Sequence, residues 1–194
     1  MIHSKTKRIV ALGALGLALW TSPLTMASET PNWSLVGGAN ISALVGNTQG
    51  GSDIGVHVGG KYDISLTDHS GVDISFLYSI KNSTLSSGSQ TLKLHTTHCE
   101  IPIVYRYNFP SGIEITGGGY ASYLLSSTIS LNSLSVDISS DFNNLDYGAM
   151  AGIAYKTGNW NLGISYQLGL ADVTKDGLID KYSNIMLTAA YTLN

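Results

Sequence analysis

With a single cysteine, Cys99, the chain cannot form an internal disulfide. Charge is scarce as well, at 12% of residues, and Asp and Glu outnumber Lys and Arg by 13 to 10, so nothing here invites nucleic acid. After the first twenty or so residues there is no long apolar run, which excludes an α-helical membrane span in the body of the chain. Motifs for metals and phosphates are missing too. His57, His69, His95 and His98 are dispersed and lack cysteine partners, and Gly117-Gly118-Gly119 falls inside an extended stretch with no helix behind it. No cofactor and no metal is expected.

The N-terminus is different in character. Lys5, Lys7 and Arg8 precede an apolar stretch over 9–20, followed by Pro23 and the small-residue step Thr25-Met26-Ala27. This is the pattern of a secretory signal peptide over residues 1–27, with cleavage expected near Ala27, and its apolar part falls short of the ~20 residues of a spanning helix. Removing it takes away three of the ten basic residues and none of the acidic ones, so the exported chain moves from −3 to −6. Residues 28–194 then form one domain, rich in glycine (22) and tyrosine (11), a composition suited to strands and turns.

Period-two alternation dominates that domain. From Cys99 through Ile101, Ile103, Tyr105, Tyr107 and Phe109, every second residue is apolar, while the other parity carries Glu100, Val104, Arg106 and Asn108. The same pattern predicts strands near 33–43, 54–66, 71–81, 92–109, 112–126, 145–157, 160–170 and 184–193. Charges keep to one parity, and each segment has about the ~9–11 residues a tilted strand needs to cross a bilayer. Lys93 alone breaks the rule, near the outer end of the fourth strand, where the hairpin is expected to project past the membrane.

Connections alternate in length. Short ones fall at 67–70, 110–111 and 158–159, and long, solvated ones at 44–53, 82–91, 127–144 and 171–183. The longest keeps alternating (Ile129, Leu131, Leu134, Val136, Ile138), so its flanking strands are expected to continue beyond the membrane. Short turns belong in the periplasm and long loops outside. The predicted fold is all-β: an eight-stranded antiparallel up-and-down transmembrane β-barrel, closed because lipid satisfies no free backbone group. A barrel of this size is filled by its own side chains. The inward candidates are His57, Lys61, Asp63, Asp73, Lys81, Glu100, Arg106, Glu114, Lys156 and Gln167, and among them Lys61, Asp63, Asp73, Glu100, Arg106 and Glu114 are expected to form a structural lumen network of paired charges with no diffusion pore. Cys99 falls among the outward residues as a structural thiol. Trp33, Tyr78, Tyr105, Tyr107, Phe109, Tyr155, Trp160, Tyr166 and Tyr191 share the outward parity and read as interfacial girdles.

The run His98-Cys99-Glu100-Ile101-Pro102-Ile103-Val104-Tyr105-Arg106-Tyr107-Asn108-Phe109 resembles the "LEIP…KY.F" strand of the PorT-like outer-membrane β-barrel family. Residues 112–125 are similar to the strand that follows it there, and 166–173 to that family's "Y..GL.D" ending. Cys99 stands where the family favours an apolar residue, and Asn194 follows Leu193 where such barrels finish on an aromatic. The family contains a component linked to protein secretion. The resemblance therefore implies an integral outer-membrane barrel, non-enzymatic, in contact with outer-membrane lipid and with a host or envelope protein through its loops, for adhesion or in support of a secretion complex.

Two other functions are open to these residues. An outer-membrane enzyme acting on lipid or peptide would draw on His95, His98 and a nearby serine. A soluble lipocalin-like carrier would need the reverse polarity, apolar inside and charged outside.

Overall fold

The computed structural model describes residues 32–45, 50–87, 90–131, 134–139, 142–173 and 181–193. The expected signal peptide, Lys175 and Asn194 lie outside the described residues. The strands are β1 (Asn32–Val45), β2 (Gly50–Thr67), β3 (Ser70–Ser87), β4 (Gln90–Asn108), β5 (Ile113–Leu131), β6 (Leu134–Asp137), β7 (Leu145–Thr157), β8 (Trp160–Gly169) and β9 (Lys181–Leu193). All pairings are antiparallel between chain neighbours, except that β7 pairs with β5 and β9 closes on β1. Eight strands make the barrel, and β6 lies outside the ring, folded back on the end of β5.

Following register partners around the ring from Asn32 through Asp63, Asp73, Val104, Gly118, Met150, Gln167 and Asn184 returns to β1 at Ser42, ten residues along. A shear of that size in eight strands implies a tilt of about 40°, given strand spacings of ~4.8 Å and ~3.3 Å per residue. Each residue then advances about 2.5 Å along the axis, so nine to eleven residues cover the ~25 Å apolar band of an outer-membrane barrel.

All eight expected strands are present, and the differences lie almost wholly at one end. β2 starts at Gly50, β3 runs to Ser87, β5 to Leu131, and β9 starts at Lys181, so much of the supposed loops at 82–91 and 127–144 is strand. At this end the outward residues turn polar (Ser52, Asn82, Thr84, His95, Thr128), which removes the lipid-type alternation while the backbone ladder goes on. Of the two strands expected to project at 127–144, β5 does and β7 does not; residues 134–137 reverse instead onto Thr128–Leu131. The result is a sheet of β2, β3, β4, β5 and β6 standing beyond the membrane on one side, whereas β7 and β8 stop at its edge.

The sidedness is that of a membrane barrel. Leu35, Ile54, Phe76, Ile103, Ile115, Ile153, Leu162 and Leu187 are exposed on the outer wall, and His57, Asp73, Lys81, Glu100, Arg106 and Glu114 are buried within. All nine aromatics assigned outward are exposed, with Trp33–Tyr62, Tyr107–Phe109 and Trp160–Tyr191 packed as ring pairs near the short-turn end. This polarity excludes the lipocalin-like carrier. Among the described residues no helix is long and apolar enough to cross a membrane; the crossing is made by strands.

Two glycines show how tightly the wall is built. Gly158 (φ 57°) sits in the tight turn joining β7 to β8, where an L side chain is strained. Gly38 faces the lumen, and a Cβ there would collide with the Leu187 carbonyl and approach the His57 imidazole to 2.7 Å. Gly38→Ala is expected to destabilise the barrel by about 1–3 kcal/mol through overpacking, read as a lower urea midpoint for the detergent-folded protein with unchanged slope.

Candidate functional site

The lumen is filled in layers. Nearest the short turns lies an ionic layer, placed there because Lys61 and Asp63 precede the β2–β3 turn, Asp73 follows it, and Arg106 and Glu114 flank the β4–β5 turn. Lys61 Nζ sits 3.1 Å from Asp63 and 3.2 Å from Asp73. Arg106 Nε lies 2.9 Å from Asp73, with its other nitrogens 3.8 Å from Asp63 and 4.0 Å from Glu114. Asn161 Nδ2 donates to Glu114 (3.1 Å) and Ser34 Oγ to Asp63 (3.3 Å). Three carboxylates thus share two cations, an arrangement that makes buried charge tolerable.

Above it comes an apolar belt of Val36, Leu77, Met186 and Ala190, with Met150 packed against them. A cavity of about 100 Å³ lies between the belt and the ionic layer, lined among others by Lys61, Asp73, Glu114, Leu77 and Met186. The third layer centres on Lys81, whose side chain is wholly buried. Its ammonium is ion-paired with Glu100 and lies 5.5 Å and 5.3 Å from the ring centres of Tyr120 and Tyr182. Ser79 donates to Glu100 (2.9 Å), and the Tyr120 hydroxyl to Asp146 (3.0 Å).

The outer mouth is capped. Phe142 and Val173, from the connections before β7 and after β8, pack with Leu44, Leu94, Leu124 and Tyr182, and Ile129 and Ile138 lean against them. The two connections are fastened together: Asn143 donates its backbone N–H to the Val173 carbonyl (2.9 Å) and its side-chain amide to that of Asp172 (2.8 Å). Outside the cap, Ser139 donates its backbone N–H to Asp137 (2.8 Å), which holds that carboxyl below its ordinary range.

Of the six residues expected in one network, Lys61, Asp63, Asp73, Arg106 and Glu114 meet in the lower layer, and Glu100 pairs with Lys81 in a separate one. Lys156 is not a lumen group: it is exposed at the end of β7, where the strand has already reached the turn. Tyr120, Asp146 and Tyr182 were missed. The first two have inward parity but are not among the inward candidates named from the sequence, and Tyr182 lies in the stretch 171–183 expected as loop. Nothing periodic marks Phe142 or Val173.

A serine–histidine contact does occur. The Ser122 hydroxyl lies 3.0 Å from His98 Nδ1, but His98 Nε2 meets the Thr96 hydroxyl (3.0 Å) rather than a carboxylate. Both residues are sealed beneath the cap, and His95 is exposed on the outer face, away from them. The pair has neither the orienting acid nor the access that nucleophilic catalysis needs. Among the described residues no group of three or more His, Cys, Asp or Glu could hold a metal ion.

A closed barrel with a greasy exterior, an ionic filling and eight crossings is an integral outer-membrane β-barrel. The chain belongs to the outer membrane protein beta-barrel domain family, whose model matches residues 26–175. Among solved structures it is similar to Ail, the attachment invasion locus protein of Yersinia pestis, at 15% identity and a TM-score of 0.52, over 85% of this chain and 100% of that one. It is also similar to Neisserial surface protein A, at 13% identity and a TM-score of 0.53, over 85% and 99% of the two chains. At these identities the likeness is one of fold. No curated protein matches in sequence.

Proposed function

We propose that this barrel is a non-enzymatic surface scaffold whose outward end contacts a host or envelope protein, in the manner of an adhesin. The observation that carries the reading is the sheet of β2, β3, β4, β5 and β6 standing beyond the apolar band, together with a lumen closed by side chains at successive levels. With transport through the interior blocked, the protein has its outer surface to work with. Ail supports the reading through its name, which ties that barrel to attachment and invasion, and through its complex with the heparin analogue sucrose octasulfate.

In this reading residues 1–27 are a leader removed near Ala27, residues 28–194 form the mature barrel, the short turns face the periplasm, and the projecting sheet lies outside. The two ion-paired layers hold the lumen shut and serve stability rather than chemistry. The strand from Glu100-Ile101-Pro102 to Phe109, which resembles the PorT-like pattern, supports reading the chain as a PorT-like member of the family.

Replacing residues 132–137 by a Gly-Ser linker of equal length removes β6 while leaving the ring intact. Cells carrying the variant are expected to bind host cells several-fold less than wild type, with unchanged heat-modifiable gel migration of the barrel. Full binding by a correctly assembled variant counts against a role for this surface.

A further inference from the structure

Charge does not balance in the lower ionic layer, where three carboxylates face two cations. Lys61 lies 3.1 Å from Asp63 and 3.2 Å from Asp73, and Arg106 Nε 2.9 Å from Asp73, so the two aspartates occupy both cations. Glu114 is left over. It is 2% exposed, its nearest cationic nitrogen is 4.0 Å away on Arg106, and its Oε2 accepts a hydrogen bond from a neutral amide, that of Asn161 (3.1 Å). Among the described residues its Oε1 receives no hydrogen bond. A buried carboxylate so poorly matched is costly unless a further cation joins it.

The space beside Glu114 selects the kind of cation. The cavity of about 100 Å³ that Glu114 lines has Val36, Leu77, Met150 and Met186 of the apolar belt on its other side. An inorganic cation takes oxygen ligands on most sides, which the belt cannot supply, and among the described residues no group of three or more His, Cys, Asp or Glu could hold a metal ion. An anion would add to the excess of negative charge. A primary alkylammonium suits both walls: its N–H donors face Glu114 and the hydroxyl residues Thr116 and Ser165, register neighbours across Gly152 that line the same space, and its carbons face the belt. Lys61 does not fill this role, because its ammonium is held between Asp63 and Asp73. Apolar cavities of ~150 Å³ hold benzene, so about 100 Å³ fits a ligand of about four non-hydrogen atoms. Solvent reaches the layer from the short-turn end, where the Lys61 and Asp63 side chains are each 13% exposed.

We propose that the cavity between the lower ionic layer and the apolar belt is a binding site for a small primary alkylammonium of about three carbons, with Glu114 as its counter-ion and Met150 and Met186 against its chain. The site stands whether or not the projecting sheet is adhesive.

The test exploits the methionines, since Met150 and Met186 are the two beyond residue 27 and both line the cavity. Full-length folded protein in non-ionic detergent micelles, isotope-labelled at the methionine methyls, is titrated with propylammonium, hexylammonium, n-propanol and sodium chloride, and Met150→Leu assigns the signals. Propylammonium is expected to shift both methyl signals saturably. n-Propanol, its uncharged analogue of equal size, and hexylammonium, too long for the space, should each bind at least about tenfold more weakly, and Glu114→Gln should weaken propylammonium binding to the same extent, the size of one charge-assisted contact. Ala154→Val narrows the same cavity without removing a charge and should also weaken binding, which keeps the test decisive if Glu114→Gln does not fold. Absence of a saturable shift, equal binding of n-propanol or hexylammonium, or wild-type affinity in Ala154→Val or in a Glu114→Gln barrel that migrates as folded overturns the proposal. Displacement of propylammonium by an equal concentration of sodium overturns it too.

Discussion

Glu100→Ala is expected to destabilise the folded barrel by about 3–5 kcal/mol, because it strands the Lys81 ammonium where its side chain has no exposure to solvent. The two tyrosine faces attract the cation at 5.3 and 5.5 Å, but cation–π contacts of ~2 kcal/mol or less do not replace a carboxylate. The paired change Lys81→Met with Glu100→Leu removes both charges at similar volume and should recover most of the loss. Urea unfolding in detergent micelles, followed by heat-modifiable migration, measures all three variants. A single substitution costing under about 1 kcal/mol would mean that water reaches Lys81 and that this layer does not seal the lumen.

Ile103→Arg tests the opposite face. Ile103 is 51% exposed and lies near the middle of the apolar band of β4, between Cys99 and Phe109. An arginine on the lipid face at mid-depth is expected to cost about 2–4 kcal/mol, and His95→Arg, beyond the band, about 0–1. Unfolding from phosphatidylcholine vesicles gives both values. Equal costs at the two positions would remove the assignment of this wall to hydrocarbon.

The legible parts of the structure share one cause. Every barrel strand contacts lipid on one side and a largely polar packed lumen, crossed by one apolar belt, on the other, so the alternation that reports strand and facing is imposed along most of each crossing. Beyond the band both sides meet water, the constraint lapses, and strand ends at Gly50, Ser87 and Leu131 passed for loop. The site was legible to the same extent. Parity selected Lys61, Asp63, Asp73, Arg106 and Glu114 as inward, but it gives no height along the axis, and Glu100 lies a layer above the others.

Facing, strand number and the scarcity of outward charge were determined by the amino-acid order alone, since in a two-solvent environment each side chain's polarity dictates its side. Which inward groups meet was decided by register and closure. The register of the β3–β4 hairpin sets Glu100 near Lys81, whereas ring closure with a ten-residue shear brings Tyr182 of β9 over the same ammonium and sets the Phe142 and Val173 connections across one mouth. These closure contacts join residues as distant in the chain as Lys81 and Tyr182, or Leu44 and Val173, and only the stagger of a closed ring specifies them.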